Sequence, residues 1–218
     1  VTLSAESRAA YDAAAASYDA FVPGAEAELP LHRALLDAFT ELTAASGGRR
    51  VLDAGCGTGR LVPLLQAAHL EVVGADASPG MVAVARRENP GIPFSVAQLG
   101  ALPFDDASFA GVLAWYSLIH TAPEDLPATL TEVARVLRPG GLFLTGFQVG
   151  QGTRTATGYY LGEHRVTAHL FTTDQVSDVL GDVGLEVLAT CTTSPGEARY
   201  PQGFVLARRL PDAGVDDG

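Results

Sequence analysis

Lysine is missing from this chain. All 14 basic residues are arginines, and against 25 acids they leave a formal net charge of −11. An acidic chain without basic runs is a poor partner for phosphate backbones or anionic lipid. The three arginine pairs, Arg49-Arg50, Arg86-Arg87 and Arg208-Arg209, are too scattered to form a basic stripe. Neither nucleic acid nor a membrane is therefore expected as a partner. Cysteine is nearly absent as well: Cys56 and Cys191 make no disulfide framework and match no zinc-ligand spacing. That usage suits a reducing cytoplasm, the expected location. His120, His164 and His169 lack metal-ligand spacing, so no metal is expected. The longest apolar run, about Val112 to Ile119, falls far short of the roughly 20 residues of a membrane span. The opening residues VTLSAESRAAYDAAAA lack the basic stretch and apolar core of a signal peptide. Absence of lysine also points to a GC-rich bacterial genome.

What the chain does have is 218 residues, 47% of them apolar, with charge evenly dispersed. That composition excludes a disordered chain and fits one domain. The expected organisation is a single domain over residues 1–210 with a disordered tail at 211–218. Residues 1–48 form a helical lead, with an Ala-rich helix from Ser4 to about Asp19 that places Tyr11 and Tyr18 on one face, and a second helix from Leu31 to Ala45. From residue 49 to 147 short apolar runs alternate with helical patterns. The runs Val51–Ala54, Glu71–Ala75, Pro93–Ala97, Phe109–Trp115 and Leu142–Phe147 read as strands. Ser78-Pro79 reads as a helix start, and Thr121-Ala-Pro-Glu124 as a capping box before Leu126, Leu130, Val133 and Leu137. Such βαβ alternation argues for a parallel sheet covered by helices on both faces. Residues 148–171 carry no strong helical pattern and read as a polar, aromatic-bearing insert. Over 172–210 a capping box at Thr172 opens a helix, and Leu185–Thr192 and Gly203–Arg208 suit a hairpin closed by a Pro/Gly loop.

The informative stretch is Val51-Leu-Asp-Ala-Gly-Cys-Gly-Thr-Gly-Arg60. Gly55, Gly57 and Gly59 sit where a buried strand turns into a helix, and glycine there lets a ligand press against the backbone. A dinucleotide site needs a small residue at the end of G-x-G-x-x-G/A, and here that position is the bulky Arg60. Asp53, two residues before the first glycine, would repel a pyrophosphate but could orient a positively charged ligand. Asp76 ends the second strand, where a carboxylate can accept both hydroxyls of a ribose. A cationic nucleoside fits this set better than a nicotinamide dinucleotide.

Four blocks in order, VLDAGCGTG, VVGADAS with PGMVAVAR, LPFDDASFAGVLA and LRPGGLFL, resemble the class I S-adenosylmethionine-dependent methyltransferases, of the small-molecule type that includes ubiquinone and menaquinone methyltransferases. The lead YDAAAASYDAF resembles the helical lid of many such enzymes. The resemblance implies a Rossmann-like, doubly wound α/β fold: a seven-stranded, mostly parallel sheet with an antiparallel C-terminal hairpin strand. It implies S-adenosylmethionine as the cofactor and S-adenosylhomocysteine as its product. Asp53, Gly55, Cys56 and Gly57 would surround the methionine moiety, Asp76 the ribose, and Ala77 and Met81 the adenine. Where family members commonly carry an aspartate for the adenine amino group, this chain has Gln98, whose amide oxygen still accepts; the Leu99 N–H would donate to the ring.

The acceptor side is less defined. Trp115 and Tyr116 follow the fourth strand and read as walls, Trp115 of the cofactor site, with Tyr116 also a candidate catalytic group. His120 is the candidate base, since neutral imidazole accepts a proton near pH 7. Tyr11 and Tyr18 would close over a sulfonium, whose charge favours aromatic faces. Acceptor specificity is expected in the insert, where Arg154 or Arg165 could pair with an acid and Tyr159-Tyr160, His164 and His169 add polar and aromatic groups. The activity implied is methyl transfer to a small molecule through an oxygen, nitrogen or carbon nucleophile. The alternatives are a non-catalytic S-adenosylmethionine-binding module and an NAD(P)-dependent oxidoreductase.

Overall fold

The computed structural model describes residues 3–22, 24, 28–158, 161–194 and 200–211. Helix α1 (Ala5–Ala14) and α2 (Pro30–Ala45) precede the alternating core. The core runs β1 (Arg50–Ala54), α3 (Val62–Ala67), β2 (Glu71–Asp76), α4 (Pro79–Glu88), β3 (Phe94–Val96), β4 (Phe109–Trp115), α5 (Leu126–Val136) and β5 (Leu137–Gln148). A small hairpin follows, β6 (Thr153–Thr157) and β7 (Arg165–His169), then α6 (Thr173–Asp182), β8 (Leu185–Thr192) and β9 (Gln202–Arg209).

The seven long-range strands form one sheet in the order β3-β2-β1-β4-β5-β9-β8. β1 to β5 pair in parallel, and β9 is antiparallel to both β5 and β8. The central strands β1, β2, β4 and β5 are largely apolar because both faces are covered, whereas the edge strands β3 and β8 carry exposed residues. Leu52, Val73, Val112 and Phe143 point to the face packed by Leu130, Val133 and Leu180. Their neighbours Val51, Val72, Leu113 and Leu144 point to the other, against Leu36, Phe39, Leu65 and Val82. Strand order reverses between β1 and β4, which opens a crevice beyond their carboxyl ends.

Several local expectations shift. α1 stops at Ala14, because the Ser17 N–H and O–H both donate to the Ala14 carbonyl and tighten the chain into a 3-10 turn, Tyr18–Ala20. The capping box at Thr121 does not form. A 3-10 turn, Pro123–Asp125, intervenes, Thr121 is buried with its N–H on the Leu118 carbonyl, and α5 begins at Leu126. The box at Thr172 does form, with Gln175 reaching back to the cap. The insert, which lacks a helical pattern, forms a hairpin: β6 and β7 pair antiparallel from Thr153 opposite His169 to Thr157 opposite Arg165. Tyr159, Tyr160, the hairpin loop at 195–199 and residues 212–218 of the expected tail lie outside the described residues. Among the described residues no helix is long and apolar enough to cross a membrane.

Candidate functional site

The crevice holds a cleft of about 980 Å³. Its floor is the glycine loop. The Gly55 and Cys56 N–H groups both donate to the Ala75 carbonyl, tying the loop to the end of β2. Gly55 has φ +84°, and a Cβ there would stand 2.1 Å from the Ser117 Cβ, so only glycine lets β1 and β4 approach this closely. Gly57 also has positive φ, +54°, but open space where a Cβ would project. Its backbone is bare toward the cleft.

Asp76 fixes the loop from beside it. One carboxylate oxygen accepts from Gly57 N–H at 2.9 Å and the other from Ser78 N–H at 2.8 Å. Burial raises the Asp76 carboxyl, against the lowering effect of those two bonds. Each oxygen retains a lone pair for a ligand hydroxyl. Asp53 does not line the cleft. It is buried beneath the loop with Oδ2 unpartnered among the described residues. Burial pushes its carboxyl up to about 7; the Arg60 cation opposes this and the Asp76 charge adds to it. A buried carboxylate short of a partner under a bare backbone loop is a group whose charge a cationic ligand can complement. Cys56 does face the cleft, but burial holds its thiol well above the ordinary range, so it is no nucleophile.

Ala77, Met81, Gln98 and Leu99 line the far end of the cleft. Met81 is also core, packed with Ala15 and Val84 and against Tyr11 and Tyr18. The Gln98 amide oxygen accepts from Leu3 N–H at 3.0 Å, so this end is closed by the chain's own N-terminal segment. Two acids unnoticed in the sequence complete the frame. Asp12 Oδ1 accepts from the Ser78 hydroxyl at 2.5 Å and from Gly80 N–H at 2.8 Å, which latches α1 onto the start of α4. A Cβ on Gly80 would meet the Asp12 backbone at 2.9 Å. Glu28 Oε1 accepts from Arg60 at 2.8 Å and from the Trp115 indole at 3.0 Å, and Oε2 lies 3.2 Å from His32 Nδ1. Burial pushes the Glu28 carboxyl up, but Arg60 and the hydrogen bonds from Arg60, Trp115 and His32 outweigh it, and the net shift is downward. Nothing in the sequence around Glu28 marks it, since its partners lie up to 87 residues away.

Trp115 is buried, stacked on Phe204 at 5.3 Å, and forms part of the cleft wall. Tyr116 follows it with φ +59°, an uncommon backbone for a bulky residue that swings its ring toward the cleft. Burial and the Glu28 charge raise the Tyr116 phenol, while Arg60 lowers it; the group keeps its proton and is a donor or wall, not a base. His120 closes a 3-10 turn, Leu118–His120. Its Nε2 lies 2.9 Å from the Tyr11 hydroxyl, and its Nδ1 faces the Thr167 carbonyl at 3.4 Å. A carbonyl only accepts, so Nδ1 carries the proton and Nε2 accepts from Tyr11. Desolvation lowers the imidazole to about 4, with His169 and Arg154 lowering it further and the Thr167 bond opposing. His120 is neutral at physiological pH.

Tyr11, Tyr18, Tyr116 and His120 face a second cavity too, of about 510 Å³, beneath the β6–β7 hairpin. Arg154, Ala156, Val166 and Ala168 roof it, and Ile119 and Gln148 complete its wall. Arg165 and His164 lie exposed on the outside, and His169, half-buried, does not reach the cavity wall. Among the described residues no three His, Cys, Asp or Glu side chains converge as a metal set.

The profile of a methyltransferase domain matches residues 51–141. Over 116 residues the chain is 40% identical to a demethylmenaquinone methyltransferase of Symbiobacterium thermophilum, an alignment covering 49% of this chain and 45% of that one. The chain spans about half the length of the curated relatives it matches. Among solved structures, an S-adenosylmethionine-dependent methyltransferase of Methanosarcina mazei superposes with a TM-score of 0.66 at 23% identity, covering 76% of this chain and 94% of that one. A 1,6-didemethyltoxoflavin-N1-methyltransferase of Burkholderia thailandensis superposes with a TM-score of 0.63 at 20% identity, covering 97% and 93%. At such identities the likeness of the structures is one of fold. The matched profile runs from β1 into the start of β5 and includes the glycine loop, and over these residues the chain is similar to a methyltransferase domain.

Proposed function

We propose that the cleft binds S-adenosylmethionine and that the chain directs its methyl group to a small molecule held in the second cavity. The observation that carries this reading is the shared wall: Tyr11, Tyr18, Tyr116 and His120 border both cavities, so a ligand in one meets a ligand in the other. Bound there, S-adenosylmethionine supplies a methyl group activated by a sulfonium. The chain's own residues bind, orient and keep water out. Gly55 and Gly57 offer bare backbone to the methionine part. Asp53 completes the charge balance from beneath, directly or through water. Asp76 takes the ribose hydroxyls, and Ala77, Met81, Gln98 and Leu99 enclose the base. Tyr18 and Trp115 supply aromatic walls.

Alignment of the acceptor against the methyl carbon supplies much of the rate in such a reaction. His120 is the one neutral, unprotonated nitrogen on the shared wall; burial makes it a weak base, and it takes the proton of an acceptor hydroxyl that becomes strongly acidic as its oxygen bonds the methyl carbon, once that group replaces Tyr11 at Nε2. A cavity of about 510 Å³ supports a small acceptor over a nucleic acid, and the two unpaired cysteines support a reducing cytoplasm.

Thermal unfolding with S-adenosylmethionine, S-adenosylhomocysteine, NAD and NADP tests the cofactor assignment. Each adenosyl ligand at 100 times its dissociation constant is expected to add about 2.7 kcal/mol. A shift with NAD or NADP alone would overturn the reading. Release of S-adenosylhomocysteine across an acceptor panel then separates an enzyme from a binding module.

A further inference from the structure

The roof of the acceptor cavity carries a charge where period-two alternation calls for an apolar residue. On β6 exposure alternates, and Arg154 and Ala156 turn inward; on β7 Val166 and Ala168 do the same. Arg154 sits directly opposite Ala168 in the pairing register. Three of the four inward side chains are small or apolar, and the fourth is a guanidinium. Arg154 is half-buried, and a cation drawn part-way out of water into a cavity gains from an anion that pairs with it there.

Among the described residues no carboxylate supplies that partner. Arg154 Nε donates to the Gln148 amide oxygen at 2.7 Å, and the guanidinium lies 5.7 Å from the centre of the Tyr200 ring. Both contacts orient the group; neither neutralises it. Arg33, Arg60, Arg87, Arg135 and Arg208 meet carboxylates, and no described carboxylate pairs with Arg154. With Nε held, the two terminal nitrogens present a fork that matches a carboxylate edge-on.

We propose, building on the methyltransferase reading, that Arg154 anchors a carboxylate of the acceptor, so that the substrates of this chain are small monocarboxylic acids with an apolar body. The carboxylate lies at the Arg154 end of the cavity, the body against Ala156, Val166 and Ala168, and the methylated atom toward His120 and Tyr11. One cation faces the chamber, so a monoanion is balanced and a dianionic phosphate is not. Length selects among acids, because the anchor is on the hairpin and the shared wall is on the β4 side.

The test titrates benzoate, 4-hydroxybenzoate and octanoate against their primary carboxamides, with and without S-adenosylhomocysteine, by calorimetry and ligand-observed NMR. The unaltered protein is expected to prefer at least one acid over its amide by tenfold or more. Arg154→Gln abolishes that preference, Arg154→Lys retains part of it, and Arg165→Gln, on the outer face of the same hairpin, leaves it unchanged. S-adenosylhomocysteine affinity is the same in all four proteins. Equal binding of acids and amides, no binding by any of the acids, or a preference that survives in Arg154→Gln overturns the anchor. If S-adenosylhomocysteine fails to bind while the acid preference follows Arg154, the cofactor reading falls and the anchor stands.

Discussion

The two cavities are built in opposite ways. The cofactor cleft rests on strand ends and backbone: Gly55, Cys56 and Gly57 hang from the Ala75 carbonyl and the Asp76 carboxylate, all within two neighbouring strands. The cavity proposed for the acceptor is assembled from side chains on α1, the 3-10 turn after it, the turn after β4, β5 and the β6–β7 hairpin. The first is rigid because its loop N–H groups are held by the Ala75 carbonyl and the buried Asp76 carboxylate at the strand ends of a parallel sheet. The second is a set of adjacent surfaces, and any one of them can change its side chains without disturbing the sheet. A common cofactor and a variable acceptor need this division.

That contrast makes its strongest demand at the shared wall. Glutamine at position 120 keeps an acceptor for the Tyr11 hydroxyl but cannot take up a proton. His120→Gln is expected to lower turnover about 100-fold or more, with S-adenosylhomocysteine affinity changed less than twofold in calorimetry. Equal losses of both would mean that the two cavities are one functional unit. Asp76→Ala probes the other side. Removing both ribose acceptors should cost about 3 kcal/mol of cofactor affinity, roughly 100-fold. It also leaves Gly57 and Ser78 N–H groups without their partner, so a lower melting temperature is expected alongside. Binding of the acids that test Arg154 should persist in this variant.

The smallest effect is a pH dependence confined to the cofactor side. Asp53 has a folded-state value of about 7 against 3.8 for an ordinary carboxyl. Since the folded state holds this proton more tightly, the stability Asp53 contributes is fully present below the unfolded value and lost as pH rises through about 7. A cationic ligand reverses the preference and releases the proton on binding. S-adenosylmethionine affinity should therefore rise between pH 5.5 and 7.5, on the order of tenfold. Asp53→Asn should flatten both profiles, in melting curves for the first and calorimetry for the second. A slope unchanged in Asp53→Asn would assign the titration elsewhere.

Much of the cofactor side could be read from residues close together in sequence. Strand β4 spans the predicted residues, and β1, β2 and β3 lie within one residue of theirs at each end. The Ser78 and Thr172 caps form as expected, because a cap acts across three residues. Thr121 misled for the same local reason: its pattern suits a capping box, but Pro123 and the burial of Thr121 set a 3-10 turn instead. The β6–β7 hairpin was missed although Thr153–Thr157 is rich in threonine, since its alternation places an arginine on the inner face and hides the apolar period.

What the sequence determined by itself was the α/β architecture, the glycine loop, and the acids Asp53 and Asp76 at the ends of their strands. Each depends on steric rules that operate within a turn or a strand. What only the tertiary structure decided was which distant groups meet. Glu28 reaches Arg60 and Trp115, Asp12 reaches Ser78 and Gly80, and Tyr11 reaches His120 across 109 residues. Whether Arg154 faces a cavity or solvent rested on a strand register that a one-residue slip would invert. Such contacts arise where whole elements pack, and no periodicity within one segment encodes its partner in another.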